Sequence, residues 1–415
     1  MPIRFLHLAD PHIDSPMRGL QRYESAPVEQ LRSATRAAFR NAIDLAIDRE
    51  IPLVVIAGDL FDGAWDDMKT GMWTVEQFER LRTAGIRVCL IRGNHDAISQ
   101  IPTRLPWPDN VFEFATDRPT TRRFADLGIA VHGQSFEGQA ETTDLAKGYP
   151  AAVEGMFNIG LLHTSLEGDA AHATYAPTTL PTLYGRGYDY WALGHIHKRE
   201  QFDGPHPVVF AGNLQGRHIR ETGPRGGIVV QESVDGLDLQ FVPLDTVRWE
   251  RIEIAADGAD SIADLVVAST TALEAARREA GGRLLAVRIC IAGTTTLSEE
   301  LSLLTGELAL QNAIQKAASQ WADVWIERIE QRVRPPVRLE AIRRDGGVLS
   351  LLIDQIETGD VDTEDAYDSY LKPLAKKLRK AGINPEDCGI VASLSADEWR
   401  QQAEAELLTA LAADR

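Results

Sequence analysis

Cysteine is scarce in this chain. Cys89, Cys290 and Cys388 are the only three in 415 residues, and they match no C-x-x-C spacing. That excludes a disulfide-stapled scaffold and a thiolate zinc site, and it fits a reducing compartment. Long apolar runs are missing too, since none approaches the ~18–20 residues that a spanning helix needs. The opening stretch MPIRFLHLAD lacks the apolar core of a secretory signal. We therefore expect a cytoplasmic protein with no membrane attachment. Positive charge is short, with 43 Lys and Arg against 61 Asp and Glu and a net charge of −18. A surface built for nonspecific adhesion to nucleic acid is thereby excluded. A nuclease stays open, because bound divalent cations place positive charge where a phosphate must sit. No G-x-x-x-x-G-K-S/T sequence is present, so this chain supplies no ATP-driven motion by that route.

What is present is an alternating pattern. Hydrophobic residues make up 44% of the chain, enough for a sizeable core, and the length predicts two or three domains. Short β-rich runs, FLHLA, LVVIAGD, IRVCLIRG, FNIGLLH and YWALGH, alternate with helical patterns over residues 1–245. One helix is legible from Val28 to Ile47, with Leu31, Phe39, Ile43 and Ile47 at helical spacing. The runs HPVVFAGN, GGIVVQES and GLDLQFVPL predict the closing antiparallel part of a sheet. Residues 246–334 read strand, helix, strand, helix (Leu301 to Ser319), strand, a small appended α/β domain, before Pro335 and Pro336 break the chain. The remaining residues, 335–415, predict a helical tail. Ser395 and Glu398 have capping-box spacing there, and Trp399, Ala403, Leu407 and Leu411 form a one-sided stripe that packs on its own chain or on a partner.

Each strand-like run of the first region ends in a loop bearing chemistry: A-Asp10-P-His12, G-Asp59-L-F-Asp62, G-Asn94-His95-Asp96, L-L-His163-T and G-His195-I-His197. In an α/β fold, ligands bind outside the carboxyl ends of the strands, so these loops are predicted to converge. Oxygen and imidazole donors in this mixture suit manganese, iron or zinc. Asp10, His12, Asp59, Asn94, His163, His195 and His197 are too many ligands for one ion; two ions sharing Asp59 fit the count. His7 and His132, standing alone, are expected to be hydrogen-bonded core residues. Arg217, His218, Arg220 and Arg225, in a turn-rich segment, are candidates for contact with a phosphate backbone. The run Lys372, Lys376, Lys377, Arg379, Lys380 reads as one solvated helix face.

D-x-H, G-D, G-N-H-D, a lone H and G-H-x-H, in that order, resemble the calcineurin-like metallophosphoesterases over nearly all of the first 230 residues. The resemblance implies a four-layer αββα sandwich. The appended α/β unit and helical tail look like the DNA-binding capping domain and partner-binding region of the SbcD-type DNA repair nucleases. G-D-L-F-D-G-A-W and G-N-L-Q-G-R-H-I-R-E-T-G-P-R-G-G are most similar to the YhaO branch of that group. The family pattern implies Asp10, His12 and His197 on one ion, Asn94, His163 and His195 on the other, and Asp59 on both, with manganese first among the metals and iron or zinc as alternatives. It also implies His95 as the catalytic histidine, with Asp96 holding its tautomer. SbcD proper has histidine where this chain has Asp62. That departure counts against processive exonuclease activity and favours the YhaO branch.

Three functions follow as alternatives. The first is a manganese-dependent DNA exonuclease subunit working with a coiled-coil ATPase of the SbcC type, and pairing of two chains is implied by the same resemblance. The second is a phosphodiesterase or phosphatase for small nucleotides or metabolites, against which the long C-terminal extension counts. The third is an inactive adapter, against which the complete ligand set counts.

Overall fold

The structure, a computed structural model, describes residues 2–15, 27–62, 68–98, 105–166, 175–234, 236–336 and 376–377. The predicted stripe from Trp399 to Leu411 and its capping box lie outside the described residues, as does most of the lysine run. The chain divides into two compact units. The first comprises Met1–Arg251, Glu274–Arg288 and Trp321–Arg328; the second holds Ile252–Leu273, Ile289–Gln320 and the chain from Ile329 on.

The first unit is a sandwich of two six-stranded sheets. One contains β1 (Arg4–Leu8), β2 (Leu53–Ala57), β3 (Arg87–Ile91), β4 (Val111–Glu113), β11 (Gly226–Ser233) and β12 (Gly236–Pro243), in the order β12-β11-β1-β2-β3-β4. The other contains β5 (Thr120–Phe124), β6 (Ile129–Gly133), β7 (Phe157–His163), β8 (Tyr190–Gly194), β9 (Glu200–Phe202) and β10 (Val208–Phe210), in the order β5-β6-β7-β8-β10-β9. β1 to β4 run parallel to one another, as do β6, β7 and β8. The carboxyl ends of each parallel set therefore share one edge of their sheet.

The central strands bury both faces, which is why they read as unbroken apolar runs rather than alternating ones. Alternate side chains go to different layers. Leu6, Leu8, Val54, Ile56, Val88 and Leu90 pack with Ala38, Phe39 and Ala42 of helix α1 (Val28–Asp48) and with Phe78 and Leu81 of helix α2 (Met68–Thr83). Phe5, Val55, Ala57, Cys89 and Ile91 face inward, against Ile159, Leu161, Tyr190 and Ala192 of the other sheet. That sheet's outer face, with Leu162, Trp191 and Leu193, packs on Leu183 of the short helix α3 (Leu180–Tyr184) and on Leu145, Ala146 and Tyr149. Helix, sheet, sheet, helix is the four-layer order expected.

The three runs from residue 205 onward do not all close one sheet. β11 pairs antiparallel with β1 and β12, whereas β10 pairs parallel with β8 in the opposite sheet. Hydrophobic period reveals a strand but not its partner. α2 and the edge strands β4, β5 and β9 are the elements the pattern did not announce, because short or half-exposed segments carry weak periodicity.

A third sheet has the order β13-β14-β15, from β13 (Val247–Ala255), β14 (Leu284–Thr294) and β15 (Val324–Arg334). Within the first unit, Val247, Trp249, Ala286 and Trp325 from these strands pack with Leu31 and Ala34 of α1. In the second unit, α4 (Ile262–Ala280) buries Leu265 and Leu273, and α6 (Leu304–Ala318) buries Leu310 and Ile314. The helix expected from Leu301 to Ser319 is split into α5 (Ser298–Ser302) and α6, with Leu303 extended at ψ 139°. Gly306 lies so close to the Glu300 carbonyl that a Cβ there would stand 2.0 Å from its oxygen.

Gly160 shows how tightly the second sheet is packed. It pairs in register with Trp191, and a Cβ at this position would fall 2.4 Å from the buried indole ring. Gly160→Ala is expected to cost about 1–3 kcal/mol through overpacking, read as a lowered Tm. An unchanged Tm would contradict this packing.

Candidate metal centre

The candidate ligands and His95 sit where the parallel strands end. Asp10 and His12 follow β1, Asp59 follows β2, Asn94 and His95 follow β3, His163 is the last residue of β7, and His195 and His197 follow β8. Three ends belong to one sheet and two to the other, so the centre lies at the seam between sheets. The backbone there is unusual. Asp10 (φ 47°), His12 (φ 43°), Asp59 (φ 51°) and His195 (φ 99°) all adopt positive φ. Non-glycine residues in that region cost of order 1–3 kcal/mol each and persist only when their surroundings hold them.

Those surroundings are hydrogen bonds that cross between loops and sheets. Asp10 N donates to Gly58 O (3.1 Å), His12 N to Asp59 O (3.0 Å), and Thr164 N to Gly194 O (3.1 Å). The Asp10 carboxylate accepts from His195 N across the seam, at 3.1 and 3.0 Å, and Asp59 Oδ1 accepts from His95 N at 2.9 Å. Glycines make this closeness possible. A Cβ on Gly93 would sit 2.3 Å from Asp59 Oδ1, and one on Gly194 would sit 1.9 Å from the Ala57 carbonyl oxygen. The glycine of each G-D, G-N and G-H motif is thus part of the site, a role that the motif spelling alone did not assign.

Ligand atoms of Asp10, His12 and His197 lie within 4.8 Å of one another, and so do those of Asp10, Asp59 and His163. His12 Nε2 is 3.2 Å from His197 Nε2. His163 Nε2 is 2.9 Å from Asn94 Oδ1 and 3.5 Å from Asp59 Oδ2. The His195 ring stands edge-on to His163, with centroids 5.2 Å apart, and Tyr175 stands 5.1 Å from His195. All of the candidate ligands are therefore brought to one place.

The electrostatics fit a cation. Asp10 and Asp59 are each 1% exposed, and burial followed by the neighbouring Asp59 charge pushes the Asp10 carboxyl well above its ordinary range. Burial drives His12 and His163 down to about 3, so both imidazoles are neutral and offer lone pairs. Buried carboxylates beside neutral imidazoles are costly without positive charge between them. A divalent ion is what that donor set accommodates.

Around this cluster the carboxylates divide their work differently from the expectation. Asp96 does not approach the His95 ring. Its carboxylate accepts from the backbone N–H groups of Leu60 (3.1 Å), Phe61 (2.9 Å) and Gly93 (3.1 Å), and burial followed by the Asp59 charge pushes it up to about 7. The partner of His95 is Asp62, whose Oδ1 lies 2.7 Å from His95 Nδ1. Burial opposes ionisation of Asp62, yet the imidazoles of His12 and His95 beside it, together with the Ser15 hydroxyl that donates to it, hold its carboxyl well below the usual range. The Asp62 carboxylate beside it in turn raises the His95 pKa, with burial opposing.

The three arginines also separate. Arg217 reaches the cluster, with Nη1 3.5 Å from Asp62 and Nη2 3.2 Å from both His197 Nδ1 and Glu221 Oε1. Arg225 directs its donors to the carbonyls of His197 and Thr222 and to Asn213 Oδ1, and Arg220 is exposed. Glu221, which the motif reading passed over, is 5% exposed and accepts from His197 Nδ1 at 2.8 Å. The spacing of a lone glutamate to a distant histidine carries no signal in the sequence. His7 and His132 are core residues as expected: His7 Nδ1 meets the Tyr190 hydroxyl at 3.0 Å, and His132 bridges Thr121 and Asn158.

Sandwich and centre together define a calcineurin-like phosphoesterase, and the family model described by that name matches residues 3–199. A second, described as the middle domain of metallophosphoesterase YhaO, matches residues 249–334. The chain is 32% identical over 367 residues to the uncharacterised metallophosphoesterase YhaO of Bacillus subtilis, covering 86% of this chain and 89% of that protein. It belongs to the YhaO metallophosphoesterase family. More distantly, it is 25% identical over 285 residues to the DNA double-strand break repair protein Mre11 of Methanopyrus kandleri, covering 60% of this chain and 61% of that protein. With the Mre11 of Haloferax volcanii it shares 25% identity over 264 residues, covering 62% and 56% respectively. The chain thus spans less than two thirds of these Mre11 relatives. No helix among the described residues is long and apolar enough to cross a membrane.

The assignment of Asp96 to the backbone has a direct test. Asp96→Ala removes the carboxylate that accepts from three buried N–H groups, and the expected loss is on the order of 3 kcal/mol in urea unfolding of metal-free protein. Were Asp96 instead a partner of His95, turnover would fall while stability held.

Proposed function

We propose that this metallophosphoesterase is a two-ion phosphodiesterase acting on DNA, with Asp10, His12 and His197 at one ion, Asn94, His163 and His195 at the other, and Asp59 shared. The observation that carries the reading is the convergence of buried Asp10 and Asp59 with neutral His12 and His163 at the seam. When bound, paired divalent cations, manganese first among them, supply the Lewis acidity and positive charge that in-line phosphoryl transfer needs. The chain's own groups do the rest. His95, part-exposed beside the centre, donates a proton to the leaving oxygen, and Asp62 at 2.7 Å holds its ring and keeps Nδ1 protonated. Arg217, with 15% of its side chain exposed, places a guanidinium at the rim where phosphoryl oxygens carry charge. DNA as substrate is supported by the Mre11 relatives, and so is a role in DNA repair. We propose with it a coiled-coil ATPase partner of the SbcC type and pairing of two chains.

A specific observation favours a second reading, a phosphodiesterase for small nucleotides or metabolites. The three arginines do not line up as a phosphate track, because Arg225 spends its donors on His197, Thr222 and Asn213, and the chain carries a net charge of −18.

Two experiments separate these readings from each other and from an inactive adapter. Metal analysis is expected to give about two ions per chain, with Asp59→Asn losing metal; one tightly held ion indifferent to that change would sink the two-ion reading. With manganese, the protein is expected to cleave end-labelled DNA and bis-p-nitrophenyl phosphate, and His95→Ala to keep its metal while losing about 10²–10⁴-fold in turnover. Cleavage of the small ester with intact DNA would select the second reading.

A further inference from the structure

Two imidazoles of the centre are oriented by acceptors of different charge. His163 Nδ1 lies 2.9 Å from the Ala57 carbonyl oxygen, a neutral acceptor. His197 Nδ1 lies 2.8 Å from Glu221 Oε1, a carboxylate. An acceptor at Nδ1 favours the Nδ1–H tautomer, which leaves the Nε2 lone pair for the centre; Arg217 Nη2, 3.2 Å from both His197 Nδ1 and Glu221 Oε1, donates to the carboxylate. The two rings are thus presented alike, but a carboxylate behind an imidazole strengthens it as a donor more than a carbonyl does.

Glu221 is held so that it cannot swing away. Its Oε2 accepts from Arg217 N at 2.7 Å and from Asn213 Nδ2 at 3.0 Å, and its Oε1 also meets Arg217 Nη2 at 3.2 Å. Asn213 is fixed in turn, donating to Gln215 O at 2.9 Å and accepting from Arg225 Nη1 at 3.1 Å. These residues all come from the single segment 213–225 that follows the G-H-x-H motif. On the same side of the centre, His12 Nδ1 lies 3.7 Å from Asp62 Oδ1, a carboxylate charge nearby without a hydrogen bond.

We propose that Glu221 is a positioning residue that makes the two ion positions unequal: the one built on Asp10, His12 and His197 fills first, and the one built on Asn94, His163 and His195 fills second. This rests on the two-ion reading above. Arg217 and Arg225 then serve first to fasten Glu221, which accounts for their burial of donors beside the centre.

The test is titration of the metal-free full chain with Mn²⁺, followed by calorimetry and by the electron paramagnetic resonance of free Mn²⁺. The wild type is expected to show two resolved steps. Glu221→Gln keeps the shape but removes the charge, and is expected to weaken the tighter step by about 10–100-fold while leaving the weaker one in place; Glu221→Asp is expected to recover part of that loss. His163→Ala leaves Glu221 untouched and is expected to abolish the weaker step and retain the tighter, so the idea stays exposed to refutation even if Glu221→Gln fails to fold. Two equal steps in the wild type, an unaltered tight step in Glu221→Gln, or loss of the tight step in His163→Ala would overturn the inference. Binding of a single ion by the wild type would instead overturn the two-ion reading, and this inference with it.

Discussion

Asp10 and Asp59 are two carboxylates buried within one cluster at the seam of two sheets, and the rest of the centre is arranged around that charge. Buried carboxylates are tolerated only where donors or cations compensate them. Here each accepts a backbone N–H, Asp10 from His195 and Asp59 from His95. The nearest side chains, His12 and His163, are imidazoles that burial keeps neutral. Hydrogen bonding satisfies the oxygens without cancelling their charge, which is the condition a metal site requires.

The same bonds tie the sandwich together. His163 belongs to β7 yet reaches the Ala57 carbonyl of β2, and Asp10 follows β1 yet receives the N–H of His195 after β8. Polar contacts of this kind join the two sheets at the strand ends beside the inter-sheet core. They need backbones closer than side chains normally allow, hence the glycines at 58, 93 and 194, and they hold four non-glycine residues at positive φ. Strain in these loops is supported by the fully buried strands beneath them.

A second ring of charged groups surrounds the centre. Asp62 stands between His12, His95 and Arg217, and Glu221 stands between His197 and Arg217. Arg217 therefore links the carboxylate behind the candidate acid to the carboxylate behind a candidate ligand. The exposed flank is formed by His95, and the buried flank by Asp96 and its three backbone donors.

The sequence by itself determined the α/β class, the strands that end in chemistry and every candidate ligand, and the sandwich followed from the family resemblance its motifs carry. A strand buried on both faces must be an uninterrupted apolar run, and a residue that breaks such a run with Asp, Asn or His stands out; LVVIA before Gly58 and Asp59 is such a case. α1 was legible for a similar reason, its apolar face recurring from Leu31 to Ile47. Tertiary structure alone decided which sheet each run joins, placing β10 beside β8 and β11 beside β1. It also decided that Asp62 rather than its neighbour Asp96 serves His95, that Arg225 faces inward, and that Glu221 stands behind His197. Those choices depend on where chain segments meet in space, and hydrogen-bond partners many residues apart leave no periodicity behind. Local spacing records burial and strand ends, whereas pairing across a seam is set only when the two sheets pack.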